Sequence, residues 1–192
     1  MEMITIKTKY LYLIVGKSGA GKSSVVKALC DRYRFTEVIS FTDRKRRLNE
    51  GNTHIFTDTK TIESMKNDLV AFTSFSGNLY GVDINAIEQN DLYTIDLNGI
   101  KFFHSHYKGN KPYKIIYINT PESDCHMRMI TRGDSHIDIA KRLANDKTAF
   151  KDADKIADYI VKNDFFGTCV DNIYKYICKC EGWITTKGSD VD

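Results

Sequence analysis

At 192 residues with 42% hydrophobic content, the chain supports one well-filled core and is too short for two domains of ordinary size. A formal net charge of +3 suits a protein that handles anionic small molecules and is too weak to argue for nucleic acid. No apolar run reaches the ~18 residues of a membrane span. The N-terminus has no secretory h-region, and Cys178-Lys179-Cys180 is not a zinc-like C-x-x-C pair. The expectation is a cytoplasmic protein, monomer or homodimer, with free thiols and neither nucleic-acid nor membrane partners.

In chain order, residues 1–9 read as a short leader, with Met3-Ile4-Thr5-Ile6 as an added edge strand. Tyr10-Leu11-Tyr12-Leu13-Ile14-Val15 has the length and composition of a strand, and Ser24 to Cys30 has helical apolar spacing. Between them Gly16-Lys17-Ser18-Gly19-Ala20-Gly21-Lys22-Ser23 fits G-x-x-x-x-G-K-[ST], the phosphate-binding P-loop. Glycines let this backbone wrap an anion, and the loop N–H groups and the helix N-terminus then point at phosphates. Lys22 adds a point charge on the β/γ-phosphates, and the Ser23 hydroxyl is placed to hold Mg²⁺. A strand at Glu37–Phe41 follows, then a polar region, 42–60, containing Asp43-Arg44-Lys45-Arg46-Arg47. Residues 61–67 read as a helix, Leu69–Phe75 as a strand, Ser76-Gly77-Asn78 as a turn and Leu79–Val82 as its return. Beyond this small β-rich insertion come a helix at 83–89, a strand at 92–96, a helix near 99–107 and a buried strand at 114–118. Pro121 marks a helix start. Helices near 122–130 and 136–150 flank the polar link Thr131–Ser135, and a last strand at 159–161 leads to a C-terminal helix. His104-Ser105-His106 reads as surface. The fold class is α/β: a P-loop NTPase with a three-layer arrangement of parallel sheet flanked by helices.

Arginine placement adds a reaction to the nucleotide. Arg44 and Arg47 follow the second strand, and Arg128, Arg132 and Arg142 lie around the late polar link. Phosphoryl transfer spreads charge over equatorial oxygens, which the planar guanidinium fork matches. One cluster suits an acceptor's phosphate, and a late mobile segment suits closure over the donor.

These residues resemble the guanylate kinase family. Ser40 to Glu50 is similar to S-x-T-T-R-x-x-R-x-G-E, Phe75 to Gly81 to F-x-G-N-x-Y-G, and Ile95-Asp96-Leu97-Asn98-Gly99 to I-D-x-x-G. Arg128 to Gly133 with Arg142-Leu143 resembles the family's lid, and Asp158 to Asp164 resembles D-x-x-[IV]-x-N-D. The matches run in family order from about 10 to 180. The resemblance implies a single domain over 1–192: core 10–41, 90–130 and 149–180, a nucleoside-monophosphate-binding subdomain at about 42–85, and a helical lid at about 131–148. ATP, with Mg²⁺, would phosphorylate a nucleoside or deoxynucleoside monophosphate. Carried over by position, Lys22, Arg44, Arg132 and Arg142 would be catalytic. Gly16, Ser18, Gly19, Ala20, Gly21, Lys22, Ser23, Ser24, Arg128 and Asn163 would bind ATP. Ser40, Arg44, Arg47, His54, Ala71, Tyr80, Val82 and Asp96 would line the acceptor site, and Ser23 with Asp96 would hold the metal.

The departures bear on specificity. Ala71 stands where the family has a guanine-reading glutamate, Val82 replaces a Ser or Thr, Thr94 replaces an aspartate, and His54 stands at a phosphate-binding Tyr. Alanine cannot accept guanine's hydrogen bonds, so the base pocket is rebuilt and the acceptor base is open. The alternatives are a kinase of a phosphorylated sugar and a non-catalytic guanylate-kinase-like binding module. The compact length and rebuilt pocket suit a virus- or phage-encoded enzyme.

Overall fold

A computed structural model describes residues 7–46, 54–75 and 77–183. The expected leader strand at residues 3–6 lies outside them. Strand β1 (Leu11–Val15) enters the P-loop, and α1 (Lys22–Tyr33) leaves it. Then come β2 (Ser40–Thr42), β3 (His54–Phe56), α2 (Thr59–Ser64), β4 (Leu69–Phe75), β5 (Asn78–Asp83) and α3 (Ile84–Gln89). The chain continues through β6 (Leu92–Thr94), α4 (Leu97–His106), β7 (Tyr113–Asn119), α5 (Glu122–Thr131) and α6 (His136–Ala149). A 3-10 turn at Phe150–Asp152 and α7 (Ala153–Ile156) lead to β8 (Tyr159–Lys162) and α8 (Phe166–Glu181). No described helix is long and apolar enough to cross a membrane, and the five cysteines are free thiols.

The core sheet has the order β6-β1-β7-β8, with every pairing parallel. All five β1 residues are buried, as a central strand covered on both faces requires. Leu11, Leu13 and Val15 face one apolar cluster, which also holds Ile100 and Phe103 of α4. Tyr12 and Ile14 face the other, with Val25, Val26 and Leu29 of α1 and Val170, Ile173 and Ile177 of α8. This period-2 division sets the helices on opposite faces. Two buried carboxylates bind the edges. Asp91 accepts from the amides and hydroxyls of Thr8 and Thr36 at 2.7–3.1 Å. Glu181, at the end of α8, accepts from the Tyr12 hydroxyl at 2.7 Å and the Lys9 amide at 2.8 Å.

The second sheet, β3-β2-β5-β4, pairs β2 with β3 in parallel and the others antiparallel. Two expectations change here. The strand expected at 37–41 is split: Val38 donates to Leu92 of the core sheet at 2.8 Å, whereas Ser40–Thr42 belongs to the second sheet. One extended run therefore crosses between sheets. Strand β3 lies inside the polar region 42–60, where three residues are too few to show an alternation. Asp43 anchors the sheet, accepting from the Leu79 amide at 2.7 Å and the Thr59 hydroxyl at 2.8 Å. Helix α4 starts at Leu97, earlier than expected, because the Asp96 side chain caps it at the Gly99 amide, 2.7 Å away.

Beside the core-sheet edge, burial pushes the Glu37 carboxyl up to about 7. A folded-state value above the unfolded one means the folded protein holds the proton more tightly. Stability contributed by neutral Glu37 is therefore present at acid pH and lost as pH rises through about 7. Glu37→Gln is expected to gain stability over the parent by roughly 1–2 kcal/mol at pH 8 and by little at pH 5. Thermal melts at both pH values check this; a gap that does not vary with pH removes the titration.

Candidate active site

A cavity of about 1250 Å³ opens between the P-loop, the second sheet and α6. That exceeds the ~300–1000 Å³ usual for one small ligand and leaves room for two. The P-loop forms one wall through Gly16, Ser18, Gly19, Lys22 and Ser23. Gly19 and Gly21 have φ of 77° and 95°, in the left-handed region. A Cβ on Gly19 would lie 2.4 Å from the Cys125 carbonyl oxygen, so the loop packs directly on α5. Gly21 heads α1 without a side-chain cap, leaving the first-turn amides for a ligand. The Lys22 ammonium donates to the carbonyls of Gly16 at 2.6 Å and Lys17 at 3.1 Å. Burial pushes its pKa down to about 8, opposed by the nearby Asp146 carboxylate.

The loop is held from behind. The Ala20 carbonyl oxygen accepts from Thr120 Oγ1 at 3.0 Å, Arg128 Nη1 at 3.2 Å and Asn163 Nδ2 at 2.8 Å. Arg128 and Asn163 were expected to touch ATP. Both are bonded to the loop's own backbone, outside the cavity lining, with Asn163 buried. Ala20 is buried, and Gly21 and Ser24 also lie outside the lining. Thr120 was missed because an isolated threonine after a strand carries no signal.

The second sheet supplies the opposite wall. Arg44 is buried with its Nη1 on the Lys45 carbonyl at 2.8 Å and its guanidinium 5.5 Å from the Phe56 ring centroid. Ser40 Oγ and His54 Nδ1 are 2.7 Å apart, and the His54 ring meets Tyr80 edge-on at 5.7 Å. All four line the cavity with Thr73, Ser74, Thr94 and Asp96. Arg47 lies outside the described residues. Ala71 and Val82, expected at the acceptor base, face each other in register and are buried in the apolar cluster under β1. Neither lines the cavity; these small apolar side chains pack inward from the hairpin.

Segment 132–149 closes the cavity. Arg132 pairs with Asp134, its Nε at 3.0 Å, and Arg142 sits 5.3 Å from the Phe75 ring centroid with a buried Nε that has no hydrogen-bond partner. Asp146 reaches across from α6, its Oδ2 accepting from the Ser18 amide at 2.7 Å. Nothing in the sequence pointed to Asp146. The described residues contain no cluster of three or more His, Cys, Asp or Glu that would cage a metal. The Ser23 hydroxyl and the Asp96 carboxylate both line the cavity. Such sparse ligation fits Mg²⁺, which is bound through one or two protein oxygens plus phosphates and water.

The sequence matches a family model described as guanylate kinase over residues 8–180. It is 30% identical over 187 residues to the guanylate kinase of Vibrio parahaemolyticus serotype O3:K6, covering 89% of this chain and 87% of the relative. It is 34% identical over 184 residues to that of Histophilus somni, covering 84% of each. The crystal structure of guanylate kinase from Anaplasma phagocytophilum superposes with a TM-score of 0.65 at 18% identity, over 93% of this chain and 88% of that one. That last likeness speaks to fold alone.

The burial of Ala71 is testable. An unpaired carboxylate there costs several kcal/mol. Ala71→Glu is expected to lower Tm by roughly 5–10 °C. An unchanged melt would place residue 71 at the cavity surface.

Proposed function

The chain belongs to the guanylate kinase family, and from that premise we propose that it transfers the γ-phosphoryl group of ATP to a nucleoside or deoxynucleoside monophosphate. One observation supports this most: cations from separate segments, Lys22, Arg44, Arg132 and Arg142, converge on one cavity large enough for donor and acceptor together. The P-loop amides and Lys22 take the donor phosphates. Arg44 and Tyr80, with His54 in place of the family's tyrosine, take the acceptor phosphate. Arg47 joins them by family position alone. Arg132 and Arg142 would face the group in flight, and Ser23, with Asp96 assisting, would hold Mg²⁺.

In the reaction, a phosphate oxygen of the acceptor attacks the γ-phosphorus in line. The bond from that phosphorus to the β,γ-bridging oxygen breaks, and ADP leaves with the electron pair. Charge spreads over the three equatorial oxygens and is met by fixed cations, so the protein acts by position and electrostatics with no covalent intermediate. Mg²⁺, if held by Ser23 and Asp96, would supply further neutralisation of phosphate charge. The proposed division is a core of 10–41, 90–130 and 149–180, an acceptor subdomain of 42–85 and a lid of 131–148.

The acceptor wall carries the hydroxyls of Ser40, Thr73 and Ser74 and the carboxylate of Asp96, with Ala71 and Val82 withdrawn into the core. Hydroxyls donate or accept, so this wall discriminates between bases less sharply than a dedicated carboxylate. The expected activity therefore extends to several bases. A panel of ribo- and deoxynucleoside monophosphates assayed with ATP checks this. Turnover of none, with ATP affinity intact, would sink the kinase reading, and guanine-only turnover would sink the relaxed pocket. Lys22→Ala is expected to lower kcat/KM by about 10²–10³-fold. In the parent, kcat/KM for ATP is expected to fall as pH rises through about 8, where free Lys22 loses its proton. A profile flat to alkaline pH would show that this titration does not govern donor capture.

A further inference from the structure

The carboxylate of Asp146 is 4% exposed, which is unusual for a lone acidic residue at the rim of a cavity. Its Oδ2 lies 2.7 Å from the Ser18 amide, the third residue of the phosphate-binding loop. Its charge also favours the ammonium form of Lys22, ahead of every other carboxylate around that lysine. Asp146 thus holds an anionic oxygen against the loop that is built to take one. It stands on α6 one helical turn beyond Arg142, so the two share a face of the helix. Arg142 meanwhile rests on the Phe75 ring with its Nε unpartnered.

We propose that Asp146 is a built-in competitor of the donor phosphates: its carboxylate occupies the Ser18 amide in the empty enzyme, and ATP binds by displacing it. The inference rests on the reading of this loop as the donor site. A carboxylate and a phosphate oxygen cannot both take the Ser18 amide at full strength, and two anions at that distance repel. Donor entry therefore requires α6 to move. The same movement lifts Arg142 from Phe75 and frees its guanidinium for the phosphoryl group. The donor's affinity is reduced by the stability of the latched state, and release of products is assisted when Asp146 returns to the amide.

The test measures ATP binding to the full chain by titration calorimetry, without acceptor, for the parent, Asp146→Asn and Asp146→Ala. Asp146→Asn removes the charge and Asp146→Ala also removes the acceptor oxygen. Both variants are expected to bind ATP at least about tenfold more tightly, a gain of about 1.4 kcal/mol. Both are also expected to melt at lower temperature than the parent when empty. Adenosine, which carries no phosphate, is expected to bind all three alike. That opposition of sign, less stable when empty and tighter with ATP, is what a merely structural contact does not produce. ATP affinity unchanged or weakened in the variants overturns the proposal while leaving the donor site intact. Absence of ATP binding in all three proteins overturns the donor-site reading, and this inference with it.

Discussion

The carbonyl oxygen of Ala20 carries three hydrogen bonds, and the geometry of the phosphate-binding wall depends on them. A peptide unit is planar, with its C=O and N–H directed oppositely. Pulling the Ala20 carbonyl back onto these donors therefore turns the Gly21 N–H the opposite way, away from them. The three donors are Thr120 after β7, Arg128 on α5 and Asn163 after β8. The loop is thus positioned by the C-terminal ends of neighbouring parallel strands. Its glycines are sterically bound to this arrangement, because the Cys125 carbonyl and the Asn163 amide fill the space where side chains would stand. Any change that shifts β7 against β8 is felt at the loop as a rotated amide.

The other wall is arranged by a different device. A single extended run leaves the core sheet at Val38 and enters the second sheet at Ser40. The two sheets are joined there by a connector too short to permit free separation. They also share apolar packing, since Val70, Ala71 and Val82 fall in the same cluster as Leu13 and Val15. Thr73 reaches Asp96 across the junction at 3.4 Å. Helix α6 completes the enclosure through Arg142 on Phe75 and Asp146 on Ser18. Cations from separate parts of the chain are thereby carried to one space by backbone placement, with few direct contacts among themselves.

Local patterns were legible in the sequence, and directions were not. Strand β1, the loop and α1 could be read because a fully apolar run, a fixed glycine spacing and a helical period are each signalled within a few residues. The hairpin β4–β5 followed from its turn residues, and α6 from its length. Strand β3 was hidden because three residues pair only through their neighbour β2. The place of Arg128 and Asn163 in their motifs does not say which way they point; both reach the Ala20 carbonyl. Asp96 was read for a metal and also serves as the cap of α4, a second use that sequence spacing conceals. Asp146 carries no local mark at all, since its meaning arises only when α6 folds back on a loop more than a hundred residues earlier.

The inward packing of Ala71 and Val82 has a consequence for how such a pocket changes over time. With a methyl group at position 71 and apolar residues closed over it, that position is part of the foundation on which the sheet rests. Introducing an acidic residue there is opposed by folding stability, however easily the mutation itself arises. Change is more readily accepted at Thr73 and Ser74 on the cavity wall, where exchange leaves the interior undisturbed. Folding stability thus acts as a ratchet, steering later change toward the cavity's rim.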